Sequence, residues 1–397
     1  MRTRKRLAYI SILLILPILL GGCWSGVEVQ RRAILASAGI DVADDPAMMS
    51  LTMQVINPVM TSGSEDAILI VTAVADSLFM ATRKARHMLS RQPYWGQLQI
   101  FVISEEIARR SIKPVLDPLS RDYETNRQAW VLIAKGVTAK TILHAGWGFT
   151  GIPATEILGL VQMAYADGLI NIANVNDMVM SLERGGQSTT TGYLELSFDT
   201  KHPPQQIDPE AKVVLAGSAV FCKDRLVGYF DQRLSRGINW VTGDVKNTAV
   251  ELIESEDAKG MVTIEVVAAN SKVKAKLQDD KPVVHVDMEV VGHLVDVQDT
   301  SLDLNAKEVI DNLNRRLATT IRLEVEDAVR QAQTLASDVF GFGAEFYRTF
   351  PKLWATMQDD WNNIIFPTME VNVTVEATIK LTGIIRQPLG HCELETD

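Results

Sequence analysis

Cysteine is scarce in this chain: three residues, at positions 23, 222 and 392, in a length of 397. That scarcity excludes a disulfide framework and a thiolate metal cluster. Cys222 and Cys392 could pair in an oxidising exterior, but two free, inert thiols fit the spacing better. Positive charge is also short. The 39 Lys and Arg face 49 Asp and Glu, a net charge of −10. Such a body is not expected to bind nucleic acid, or to seek acidic phospholipid through charge.

Catalytic signatures are missing too. There is no Gly-x-Ser-x-Gly, no P-loop, no His-Glu-x-x-His and no Rossmann glycine pattern, so the chain reads as a non-enzyme without a cofactor. Histidine occurs six times, and only His285 and His293, with Asp287 between them, share one strand face by alternation. That face reads as solvated strand rather than as a metal site. No apolar run after Leu20 is long enough to cross a membrane.

What is present begins at Met1. Arg2, Arg4, Lys5 and Arg6 form a basic start, and Leu7 to Leu20 carries no charge. This is the shape of a secretory signal, too short for a transmembrane helix of roughly 20 residues. Leu20-Gly21-Gly22-Cys23 follows at once. A bulky aliphatic residue and two small ones before Cys let a peptidase approach, and the thiol takes the diacylglycerol. Residues 1–22 are therefore expected to be a signal peptide, with Cys23 the lipid attachment site. The body is then tethered to the outer face of a membrane. Its charge falls to −14 once the four basic residues are removed.

Downstream, strands are expected over residues 33–42, a buried run, over 49–55, which alternates, and over 68–75, 97–103 and 129–134. Helices are expected after Asp76, Ser104 and Thr138, over 112–124, and over 154–163 and 176–183. Gly146 to Gly151 looks like a junction, and Gly185 to Gly192 like a flexible polar loop that could be a mobile binding segment. Lys201-His202-Pro203-Pro204 is the strongest linker candidate. Hairpins are expected across 222–225 and at Asn270-Ser271. A long helix carries an apolar stripe from Val309 to Val339, with Gly341 to end it. A second helix holds Phe346, Phe350, Leu353, Trp354, Met357 and Trp361, read as core. Asp338 to Gly343 reads as the helix–helix turn rather than a ligand loop. The last strand, Met369 to Leu381, alternates almost ideally.

The fold class is thus α+β and multidomain, with mixed or antiparallel sheets and a long helix packed on the C-terminal sheet. The expected division is 23–200 (with a further split near 146–151), a linker over 201–211, a C-terminal domain over 212–387 and a tail over 388–397.

These pieces together resemble the Ger(x)C family of spore germination lipoproteins. The resemblance rests on the lipobox with Trp24, on Ala33-Ile34 with Gly39-Ile40-Asp41, and on Gln99 to Ala108. It also rests on Asp117 to Asp122, Ala134-Lys135-Gly136 and Gly217 to Phe221. Leu226 to Tyr229, Gly237 to Trp240 and Asp338 to Gly343 with Trp354 and Trp361 complete it. The one departure is Ser25, where Asp is more usual. The resemblance implies a C subunit of a nutrient germinant receptor, on the inner spore membrane with two integral membrane subunits. It implies no catalytic residues; only Cys23 carries over as a site. Neither the nutrient nor any direct contact with it is legible. The alternative from a different class is a lipid-anchored solute-binding protein of a transporter, which the hairpin-rich last third disfavours.

Overall fold

The computed structural model describes residues 31–57, 68–145, 151–183, 185–197, 212–245, 247–252, 261–298 and 302–380. Two sheets organise them, and the α+β reading holds.

The first sheet has nine strands, in the order β3-β2-β1-β5-β6-β7-β8-β9, with β4 added against β1. The strands are β1 (Arg32–Val42), β2 (Met49–Ile56), β3 (Ile68–Ala75), β4 (Gln92–Tyr94) and β5 (Ile100–Ser104). They continue with β6 (Trp130–Ala134), β7 (Thr190–Ser197), β8 (Lys212–Cys222) and β9 (Arg225–Asp231). The middle, β1-β5-β6-β7, is parallel, and both flanks are antiparallel.

A parallel centre needs cover on both faces, and the alternation of β5 shows it. Phe101 and Ile103 meet α1 (Leu78–Arg86), α2 (Glu105–Arg110), α3 (Lys113–Arg121) and α6 (Val175–Glu183) on one side. Ile100 and Val102 meet α4 (Ala139–His144) and α5 (Pro153–Ala166) on the other.

The second sheet is β10 (Thr248–Leu252), β11 (Val262–Gln278), β12 (Lys281–Val297) and β13 (Glu370–Lys380), in that order. Helix α7 (Gln232–Thr242) and the long α8 (Lys307–Thr334) cover it. Leu313, Leu317, Ile321, Val325, Ala328 and Ala332 form the buried stripe of α8. Each large member contributes about 1.5–3 kcal/mol by leaving water. Asn314 Oδ1 accepts the Ile379 amide at 2.8 Å, which ties α8 to β13.

Several expectations are corrected. No hairpin turns at Asn270-Ser271; both residues are paired with Glu289 and Met288 inside one continuous β11. The turn lies at Asp279-Asp280, whose φ values of 48° and 60° suit a two-residue hairpin that Asp tolerates. Ser77, not Asp76, caps α1, its hydroxyl accepting from Met80 N at 3.4 Å. The long helix stops at Thr334 rather than near Val339, and Gly341 opens the next helix, α9 (Phe342–Thr349), instead of closing this one. Pro351 then breaks the expected second helix, because it lacks an N–H and can only start α10 (Pro351–Met357).

The expected linker, 201–211, lies outside the described residues, as does the tail from 388. The strands on either side of the linker, β7 and β8, pair antiparallel in one sheet, so β8 and β9 belong to the first sheet. Likewise β6 and β7 flank the stretch 146–151 and pair with each other, so no division of the sheet falls there.

Candidate functional site

The Asp338 turn is more than a helix connection. Asp338 is fully buried, and its carboxylate accepts four hydrogen bonds. Gly341 N and Phe342 N donate to Oδ1 at 3.0 and 3.1 Å; Gly343 N and Trp361 Nε1 donate to Oδ2 at 2.7 and 2.9 Å. Burial pushes this carboxyl up to about 6 while the four donors pull the other way, so it is ionised at neutral pH. Around it lie Trp361 and Trp354, edge to face at 5.2 Å, and Phe346, 5.4 Å from Trp361. The aromatic residues read as core are core, although Trp354 and Trp361 sit on separate helical turns.

This turn holds the segment read as a mobile loop. Ala344 N donates to Gly186 O at 2.9 Å, Ser188 N to Asp338 O at 2.8 Å, and Phe221 N to Thr189 O at 3.0 Å. Ser337 Oγ reaches Phe221 O at 2.6 Å. Ser188, Thr189, Thr190 and Thr191 are all buried, and Thr190 onward is strand β7. Thr190 Oγ1 donates to Asn171 Oδ1 at 2.6 Å and Thr191 Oγ1 accepts from Ala173 N at 3.2 Å, so these two side chains are structural. Composition alone cannot separate a wet threonine run from a buried one.

Beside the clamp a cleft of about 420 Å³ opens between the two sheets' coverings. Its floor is a network of amides and hydroxyls. Thr190 Oγ1 donates to Asn171 Oδ1 at 2.6 Å, Asn171 Nδ2 to Asn239 Oδ1 at 3.3 Å, and Asn239 Nδ2 to Gly168 O at 2.8 Å. Asp177 and Asp244 stand exposed at the rim. The floor amides are thus occupied in holding the seam, and a hydrogen-bonding surface results rather than a poised acid–base pair.

A second cluster escaped sequence reasoning. Lys135 Nζ lies 4.6 and 4.7 Å from the ring centres of Tyr193 and Tyr229 and 2.7 Å from Glu195 Oε1. The two rings meet edge to face at 4.8 Å. Glu105 pairs with Arg109 and accepts from Gly136 N at 3.1 Å. Burial pushes the Tyr229 phenol far up, so it stays neutral. This explains Ala134-Lys135-Gly136 and Glu105 as one cation–aromatic staple across β6, β7 and β9. Nothing short of pairing register brings those residues together.

Other candidates fall as follows. Cys23 lies outside the described residues. His285 and Asp287 face across β11, where Asp287 pairs with Lys274 at 2.8 Å. Cys222 is half-buried and free, its thiol pushed up by burial and so held in the unreactive form. Asp41 takes Ala139 N and Lys140 N at 2.7 and 2.9 Å, capping α4 from the end of β1.

Comparison with known proteins covers most of the chain. Residues 25–196 match the model described as Spore germination protein N-terminal domain. Residues 216–383 match Spore germination B3/GerAC like, C-terminal. The chain is similar to Spore germination protein KC of Bacillus subtilis, at 25% identity over 97% of this chain and 98% of that one. It is also similar to Spore germination protein B3 of the same organism, at 20% identity over 92% and 95%. A crystal structure titled as that of the GerBC protein shares the fold, with a TM-score of 0.56 at 17% identity, over 86% of this chain and 96% of that one.

Proposed function

Because the chain belongs to the Spore germination B3/GerAC-like family, we propose that it is the lipid-anchored, non-catalytic subunit of a germinant receptor. It works in nutrient-triggered spore germination with integral membrane subunits. Two family models match in order across nearly the whole chain, and that observation carries the reading. The relatives bear the names of spore germination proteins.

Cys23 is the attachment site, at the end of an uncharged Leu- and Ile-rich stretch. Two or more acyl chains there hold a protein on a membrane, where one is marginal. The body then faces its partners in two dimensions on the outer face of the inner spore membrane. The polar cleft and the clamped seam supply rigid surface, and the floor groups serve structure rather than turnover.

The test is a pull-down from detergent-solubilised spore membranes with a C-terminal tag. Co-purification of two integral membrane proteins, lost when either partner gene is removed, is expected. Recovery of the chain alone, or with an ATP-driven transporter, would favour the solute-binding alternative and sink this one.

A further inference from the structure

The overall charge argues against attraction to acidic phospholipid, yet the fold gathers a local exception. Between Ser77 and Ser104 the chain holds no Asp or Glu, while Arg83, Lys84, Arg86 and Arg91 fall within it. Arg83, Lys84 and Arg86 are exposed on α1, and His87 and Met88 are exposed just beyond its end. Among the described residues no carboxylate lies within ion-pairing distance of Arg83 or Arg86. Arg83 instead stacks on Phe79, its guanidinium carbon 5.0 Å from the ring centre.

Apolar surface accompanies the charge. Phe79 is 51% exposed, Met88 61% and the nearby Tyr123 92%. A shallow groove of about 120 Å³ runs among Phe79, Arg83, Arg86 and Pro93, with Asp122 and Glu124 on its opposite wall. Cations with exposed Phe, Met and Tyr are what an anionic interface recognises: charge for the headgroups, amphipathic rings for the boundary.

The position of this patch matters as much as its chemistry. Arg32, where β1 begins, pairs with Gln92, and its guanidinium lies 4.0 Å from the Tyr94 ring centre. The chain therefore enters the body beside the groove. Arg32 is only nine positions beyond Cys23. Fully extended, nine residues reach about 30 Å. A lipid on Cys23 keeps this end of the body near the bilayer.

We propose that α1 and the following turn to β4, with the Tyr123 corner, rest on the anionic headgroup surface of the bilayer and so set the orientation of the body. This rests on the lipid-anchor reading of Cys23.

The test uses the full-length lipidated protein, with the mass of its N-terminal peptide read for diacylglycerol. It is studied in detergent, in vesicles of phosphatidylcholine, and in vesicles of equal parts phosphatidylcholine and phosphatidylglycerol. Backbone hydrogen exchange is followed over residues 79–92. On the mixed vesicles this segment should exchange several-fold more slowly than in detergent. The slowing should be lost at high salt and in the double variant R83E/R86E, with R83Q/R86Q as the milder pair should the first not fold.

Unchanged exchange with the lipid present on Cys23 would overturn the surface and leave the anchor. Equal slowing on phosphatidylcholine alone would overturn the role of anionic headgroups. Slowing in detergent that grows with protein concentration would mean that a second copy covers the patch. A peptide without diacylglycerol would remove the anchor and this orientation together.

Discussion

Gly186 and Gly343 touch backbone to backbone. A Cβ on Gly186 would fall 2.7 Å from the Gly343 carbonyl carbon, and one on Gly343 would fall 2.7 Å from Gly186 O and from the Trp354 ring. Gly186 also sits at φ +85°. One glycine follows α6 in the first half of the chain; the other lies in the first turn of α9 in the second. Their contact fastens the segment leading into β7 to the Asp338 turn.

Gly343→Ala should therefore destabilise the protein by roughly 1–3 kcal/mol, the usual cost of overpacking. Gly186→Ala should add left-handed strain of about 1–2 kcal/mol. Urea unfolding of the singles and the double checks this. Because both break the same contact, the double should cost less than the sum; strict additivity would show that the contact is not shared.

Asp338→Asn presents an NH₂ to a ring of four N–H donors. The expected loss is about 1–3 kcal/mol, the cost of leaving a buried N–H donor without its acceptor. The native carboxyl titrates at about 6, above its ordinary 3.8, because burial disfavours the charge. A raised acid pKa contributes stability that is complete below about 4 and lost as pH rises through about 6. The gap between native protein and variant should thus narrow from pH 4 to pH 7. A gap that widens over that range would contradict the raised value.

Glu324 is buried on α8 and accepts from Arg236 Nε at 3.0 Å and from Trp240 Nε1 at 2.9 Å, pinning α7 to α8. Glu324→Gln leaves the Arg236 charge without its counter-ion. A loss of about 3–5 kcal/mol is expected in thermal or urea unfolding. A near-neutral result would place α7 outside the cooperative unit.

Trp354→Ala removes a buried ring that packs on Trp361 and on both glycines. It should cost about 3–5 kcal/mol. A variant of native stability that has lost germination activity would assign Trp354 to partner binding instead.

Cys23→Ala should release the protein from membranes and weaken germination. Fractionation of spores checks it. Retention of the variant in the membrane fraction through detergent-free washes would count against lipid as the main anchor.

Much of this architecture was legible because local pattern and burial agreed. The strands β2 and β13 declare themselves by alternation, β1 by a buried apolar run, and the α8 stripe by steps of three and four. Misreadings occurred where a distant partner outweighed a local signal. Asn270 and Ser271 look like a turn, but cross-strand pairing with Glu289 and Met288 keeps them extended. Gly341 looks like a helix stop, but Ser337 and Asp338 are already committed to Phe221 and to the α9 amides. The threonine run at the start of β7 looks wet, but the seam encloses it.

The N-terminal export pattern, the acidic balance, the α+β class and the family are properties of residue order, since each rests on local spacing or composition. The clamp of Gly186 against Gly343, the Lys135 staple, the seam cleft and the basic face beside Arg32 are not. Each joins residues distant in sequence. Only the register of the sheets and the packing of helices upon them decides which side chains meet.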